Sequence, residues 1–163
     1  MVNARMLIDK LKLRAHPQEG GYFVESYRSS ERLGSRSVST AIYYLLTPET
    51  RSSLHRLRSD EIFHFYLGDP VEMLHLRPDG SGAIVRLGPD LEAGEEVQVV
   101  VPAGVWQGAR LRAGGRFALL GTTVAPGFEY EDYETGRAGE LARAYPDWRP
   151  WIEALAPPGG AST

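Results

Sequence analysis

The stretch Leu54–Pro70, LHRLRSDEIFHFYLGDP, sets two histidines and an Asp-Glu pair into a run that otherwise carries the apolar alternation of a β-sheet. Burying a charged group without a partner is costly, so these side chains either face away from the core or meet something inside it. In an extended chain alternate residues share a face. His55 and Leu57 therefore point one way, Glu61 shares a face with Phe63 and Phe65, and His64 lies opposite Glu61. His55 is placed to work with Glu61 across the intervening turn, and His64 is not.

Outward from this stretch the alternation continues. Strands are predicted at GYFVESYR, VSTAIYYLL, SSLHRL, EIFHFYL, VEMLHLR, GAIVRLG, EVQVVV, VWQGAR and RFALLGTTV. Turn signals such as Gly68-Asp69-Pro70, Pro78-Asp79-Gly80 and Gly88-Pro89-Asp90 separate them. No segment between these strands has the length and period of a crossover helix, which excludes parallel βαβ units and favours a sandwich or barrel. Helical pattern is confined to the ends. Asn3 is a candidate N-cap for a helix carrying Met6, Leu7, Lys10 and Leu11, stopped by Pro17; GRAGELARAYP and DWRPWIEAL form the second helical region.

The 163 residues suit one domain, 1–163, with a core over about 16–135 and a flexible-looking tail over 156–163. A hydrophobic share of 42% with a net charge of -3 marks a globular chain without a general pull toward nucleic acid. The absence of Cys removes disulfides, thiolate metal sites and cysteine nucleophiles. No apolar run has signal-peptide or bilayer-spanning length, so no membrane is implied and a cytoplasmic location is expected.

HRLRSDEIFHFYLG resembles the first motif of the cupin superfamily, in which His-x-His, a Glu and a Gly follow in order; the matching positions are His55, Leu57, Glu61 and Gly68. The second motif, a Gly followed by Pro-x-Gly-x-x-His, is matched by Gly94, Pro102, Gly104 and then Gln107 in GEEVQVVVPAGVWQ. With HPQEGGYF, STAIYYLLT and VAPGFEYEDYE, these phrases run in order from His16 to Glu134 and resemble one cupin branch catalogued as a domain of unknown function. The resemblance implies an all-β, double-stranded β-helix (jelly-roll) barrel with short terminal helices, a ligand pocket in the barrel mouth and pairing as a homodimer.

The resemblance also frames the chemistry. Cupins of the usual kind hold Zn, Ni, Fe or Mn on three imidazoles and one carboxylate; Leu57 is no ligand and an amide is a weak one, which leaves His55, Glu61 and Gln107. The set favours a site that requires no cofactor, with a divalent metal on those three residues as the alternative. Without a metal, His55 beside Glu61 is a candidate general acid or base. This is similar to the metal-free cupin sugar epimerases, whose catalytic His occupies the position of His55 and whose acid is usually a Tyr; Tyr43 and Tyr44 are the candidates for that acid.

For the ligand, Gln107, Arg56, Phe63, Trp106, Gln98 and Glu19 are the candidate contacts, with Arg51 and Arg58 as further guanidiniums suited to a carboxylate or phosphate. His64 and His75 read as strand residues without a chemical role, and His16 as a turn cap. FEYEDYE alone reads as an exposed strand edge, and its place in the family phrase gives it a pocket or dimer role. The leading expectation is an epimerase- or isomerase-type reaction on a small polar, sugar-like or carboxylated ligand. A metal-dependent oxygenase, lyase or isomerase and a non-catalytic binding protein stand as alternatives, since one fold hosts many functions.

Overall fold

The structure is a computed structural model that describes residues 1–157. Thirteen strands and three α-helices run in the order α1 (Ala4–Leu11), β1 (Arg14–Ala15), β2 (Tyr22–Arg28), β3 (Arg32–Leu33), β4 (Arg36–Ser37), β5 (Thr40–Leu46), β6 (Arg51–Arg56), β7 (Asp60–Gly68), β8 (Val71–Leu76), β9 (Gly82–Leu87), β10 (Gln98–Val101), β11 (Trp106–Leu111), β12 (Ala118–Ala125), β13 (Glu134–Thr135), α2 (Ala138–Ala144) and α3 (Arg149–Ala154). The predicted strands lie where alternation puts them, within two residues at their ends.

The strands form a six-stranded sheet, β1-β2-β5-β12-β7-β10, facing a five-stranded sheet, β13-β6-β11-β8-β9, with β3-β4 as a small separate hairpin. Every strand pairing is antiparallel, and sequential neighbours often sit in opposite sheets, which is the jelly-roll arrangement. Between the sheets lies the main core of Tyr44, Leu46, Phe63, Met73, Val99, Val101 and Leu120 with their neighbours. Each fully buried Leu, Val or Phe there contributes about 1.5–3 kcal/mol relative to exposure.

Two satellite cores close the outer faces. Helix α1 covers Leu45, Leu119 and Phe117 on the outside of the six-stranded sheet. Helices α2 and α3 cover Leu54, Leu74 and Leu76 on the outside of the five-stranded sheet, with Ile152 and Leu155 fully buried. Asn3 caps α1 as expected, its Oδ1 accepting from Met6 N at 2.9 Å. The helix stops at Leu11 and not at Pro17, because Lys12 turns left-handed (φ 58°) and donates its N–H to the Ile8 carbonyl. Of the expected flexible tail, Ala156 is tied down, its carbonyl accepting from Arg51 Nε at 3.1 Å and Nη2 at 2.7 Å; residues 158–163 lie outside the described residues. No helix among the described residues is long and apolar enough to cross a membrane.

His75 faces the barrel interior. It stands in a row with Gln107 and His55 across β8, β11 and β6, and its Nε2 is buried without a hydrogen-bond partner. Burial, aided by the charge of Arg77, lowers its pKa from 6.5 to about 4. A depressed imidazole pKa gives stability that is present above pH 6.5 and lost as pH falls toward 4. Between pH 7 and pH 5 this group alone removes about 2 kcal/mol. His75→Leu is therefore expected to flatten the acid side of the urea-unfolding stability curve by that amount, and a variant curve parallel to the parent's would contradict the assignment.

Candidate functional site

The barrel mouth encloses a cavity of about 210 Å³. Its floor is built by β6, β7 and β12, which aim His55, Glu61, Thr122 and Val124 inward, with Leu57 beside them. The loop before β2 adds His16 and Glu19, and the segment after β12 adds Phe128, Glu129, Tyr130 and Tyr133.

The loop enters because Gly20 and Gly21 both take positive φ, 95° and 71°. A Cβ at Gly20 would collide with the Arg51 carbonyl oxygen. With that freedom the loop lies on β6: Ser53 N donates to the Glu19 carbonyl at 2.8 Å and Tyr44 Oη donates to the Gly20 carbonyl at 2.8 Å. Ser52 Oγ then donates to the Glu19 carboxylate.

The two cavity histidines carry opposite tautomers, fixed by what their Nδ1 atoms meet. His55 Nδ1 lies 2.7 Å from the Ser53 carbonyl oxygen. A carbonyl only accepts, so Nδ1 carries the hydrogen and Nε2 keeps its lone pair. His16 Nδ1 instead accepts from the backbone N–H groups of Glu19 at 2.9 Å and Gln18 at 3.3 Å, so its hydrogen is on Nε2. Both Nε2 atoms face the same oxygen, Glu19 Oε2, at 3.8 Å from His16 and 4.0 Å from His55.

Burial moves these groups in opposite directions. Desolvation lowers the pKa of His55, against the raising effect of Glu61 and of the Ser53 bond, and lowers that of His16 in the same way against Glu19. Desolvation raises Glu19, and it raises Glu61 to about 7 with the charge of Glu19 adding to it. Gln107 Nε2 donates to Glu61 Oε2 at 2.8 Å, which pulls Glu61 partly back. At neutral pH the cavity thus holds neutral imidazoles beside a Glu61 carboxyl that shares its proton with solvent about equally.

Gln107 is buried behind Glu61, holding it, and does not line the cavity. Tyr43 is turned to the outer face, against the α1 core and Tyr66, because strand parity sends Thr40, Ile42 and Tyr44 inward instead. Tyr44 is buried in the main core with its hydroxyl engaged by Gly20, so neither tyrosine reaches the cavity. Phe63 points inward but fills the barrel below the cavity. Trp106 lies on the outside, under the Arg56 guanidinium at 4.5 Å, and Arg56 pairs with Glu134 at 2.7 Å. Gln98 is exposed on the outer face, where it meets His64 Nδ1 at 3.3 Å. Arg51 is committed to Ala156, and Arg58 stands outside the cavity. His16 is the turn cap that the sequence favours and is also a wall of the cavity.

Sequence reasoning missed Arg14 and gave Tyr133 no role of its own within FEYEDYE. FEYEDYE is not a strand edge: Tyr130–Asp132 forms a 3₁₀ turn, which defeats alternation and swings Tyr133 over His55. The two rings stack at 4.7 Å and 13°. Arg36 holds this segment through buried Asp132, and Arg28 through Glu129 at 2.9 Å.

A metal of the kind held by many cupins needs several imidazole or carboxylate donors converging on one point. Here Leu57 presents only hydrocarbon, and the Gln107 amide nitrogen is turned to Glu61. Among the described residues no group of three or more His, Cys, Asp or Glu side chains is disposed to hold a metal ion. The usual cupin ligand positions therefore do not supply such a set.

Residues 5–136 match the family described as "Cupin superfamily (DUF985)". The chain belongs to this family. An uncharacterized protein of Saccharomyces cerevisiae is 31% identical over 147 residues, covering 79% of this chain and 73% of its own. Among solved structures, a protein from Shewanella oneidensis is 36% identical with a TM-score of 0.89, covering 96% of this chain and 98% of its own. A hypothetical protein from Leishmania major is 32% identical with a TM-score of 0.88, covering 95% and 99%. Bacillus subtilis oxalate decarboxylase shares the fold, with a TM-score of 0.56 at 16% identity over 89% of this chain and 38% of its own. The cupin assignment and the jelly-roll expectation agree with these matches.

Proposed function

We propose that this cupin is a metal-independent acid–base enzyme of the isomerase or epimerase type, acting on a small polar ligand in the barrel mouth. The observation that carries the reading is the opposed pairing in one cavity: a neutral His55 whose Nε2 lone pair is free, next to carboxyls whose pKa values are raised. Groups pushed apart in this way are how one site holds a base and an acid at the same pH. His55 Nε2 removes a proton from a carbon next to a carbonyl, and the electron pair moves onto the carbonyl oxygen. The neutral His16 Nε2–H polarises that oxygen as a hydrogen-bond donor. A protonated Glu61 returns a proton to carbon, and imidazolium His55 then restores the carboxyl, so the cycle closes with no net proton change.

The test is solvent exchange. A panel of small oxo acids and keto sugars is incubated with the protein in D2O, and C–H to C–D exchange is followed by NMR. Exchange in at least one binding compound, with an acid limb below pH 6.5 because the His55 pKa is lowered, supports the reading. Compounds that bind in the cavity without exchanging contradict it and favour a non-catalytic binding protein.

The proposal includes a homodimer. Tyr27, Tyr66 and Val100 are half exposed on the outer face of the six-stranded sheet beyond α1, and such an apolar face suits a second copy. Light scattering at micromolar concentration is expected to give twice the chain mass, reverting to one chain mass in Val100→Lys. A monomeric parent protein removes the dimer from the proposal.

A further inference from the structure

The hydrogen-bond state of the cavity is lopsided. Its carboxylates all have partners: Glu19 has Ser52, Glu61 has Gln107, and Arg28 takes both Glu25, at 2.9 and 3.0 Å, and Glu129, at 2.9 Å. Its donors do not. The Tyr133 hydroxyl is buried with no hydrogen-bond partner. Arg14 lines the same cavity, and no carboxylate among the described residues lies within ion-pair distance of it. The Tyr133 hydroxyl is a buried donor without an acceptor, which is costly and is relieved by a ligand that brings one, while Arg14 stands exposed at the rim with its guanidinium open to a ligand.

The donors follow one wall. The Arg14 guanidinium carbon lies over the Phe23 ring at 5.3 Å, Phe23 meets His16 at 4.5 Å, His16 is 6.5 Å from Tyr133, and Tyr133 stacks on His55 at 4.7 Å. Arg14 and His55 line the same cavity, so a ligand that fills it meets a guanidinium at the rim and the His55 base within. At about 210 Å³ the cavity is smaller than the roughly 300–1,000 Å³ of sites for drug-sized molecules.

We infer that the ligand is a small oxo-carboxylate, its carboxylate held by Arg14 at the rim and its acidic carbon presented to His55. The inference rests on the acid–base reading only for the role of His55; recognition of the carboxylate stands on the free donors. A guanidinium matches a carboxylate with two parallel N–H donors, and such charge-assisted bonds are the strong ones.

The test uses 2-oxobutanoate, acetoacetate and levulinate, each against its methyl ester, with inorganic phosphate as the competing anion. Binding is read by calorimetry and by the chemical shifts of the cavity tyrosines. At least one acid is expected to bind about tenfold or more tighter than its ester, a preference that Arg14→Gln abolishes with the melting temperature unchanged. Arg58→Gln, outside the cavity, keeps the preference. Acid and ester binding alike in the parent, a preference that survives Arg14→Gln, or phosphate binding tighter than every acid each overturns the inference. His55→Gln retains the preference for the acid while losing exchange. A parent protein that shows the Arg14-dependent preference and no exchange overturns the acid–base reading and leaves the carboxylate site standing.

Discussion

Replacing His55 with Gln is expected to lower solvent exchange into a bound carbon acid by about 10²–10⁴-fold, the usual range for a lost general base. The substitution is chosen for its geometry. Glutamine keeps a polar side chain of similar reach and can still donate to the Ser53 carbonyl, the bond that His55 Nδ1 makes at 2.7 Å. It removes only the basic lone pair on the cavity side. His55 is also buried against Tyr133, so its loss has a structural component that must be separated from the chemical one. The separation comes from ligand affinity and melting temperature, which are expected to change little. A variant that melts normally, binds ligand and still exchanges at the parental rate would show that the base lies elsewhere.

The second large effect is on stability. Glu61 is only 7% exposed, and burial together with the charge of Glu19 raises its pKa from 4.5 to about 7. A raised carboxyl pKa means that the native state holds a proton more tightly than the unfolded chain. The associated stability is fully present below pH 4.5 and is lost as pH rises through about 7. Between pH 4.5 and pH 8 the loss amounts to about 3 kcal/mol. Glu61→Gln keeps an oxygen to accept from Gln107 and never ionises, so it is expected to gain that amount over the parent across this window. The lowered pKa values of His16 and His55 act in the opposite sense, and in the variant His55 also loses the raising effect of Glu61. Because Glu19 loses its charged neighbour in the variant, the difference between the two unfolding curves reports these coupled groups and not one microscopic constant. Parallel curves from pH 4.5 to pH 8 would mean that Glu61 ionises normally in the folded protein.

The strands were legible because sheet residues alternate, and alternation survives in a single sequence. The same rule sorted Glu61 from His64 and put Phe63 on the face of Glu61. What it does not give is which parity faces inward when two adjacent residues are both amphipathic. Tyr43 and Tyr44 show this: Tyr44 goes into the core with Ile42, and Tyr43 goes out against α1. Gln98 was ambiguous for the same reason, and only its pairing with His64 on the outer row decides it.

The walls of the site were less legible because they are not periodic. His16 and Glu19 arrive on a loop whose course depends on two left-handed glycines. Tyr133 arrives on a 3₁₀ turn, held by Arg36 and Arg28 across some hundred positions of sequence. Arg14 sits in a two-residue strand, and nothing local marks it; it matters because the other cavity cation, Arg28, is already paired. Such contacts belong to tertiary structure. The signals that did reach into them were the family phrases HPQEGGYF and VAPGFEYEDYE.

The proposed cycle depends on the lone pair of His55 Nε2. Nitrogen-15 NMR of uniformly labelled protein reads it directly, through the two ring nitrogens of each histidine and their couplings to the ring protons. At pH 7 His55 is expected to be neutral, with a protonated Nδ1 and an unprotonated Nε2, while His16 shows the reverse. A His55 that is imidazolium at pH 7, or neutral with its hydrogen on Nε2, would contradict its assignment as the base.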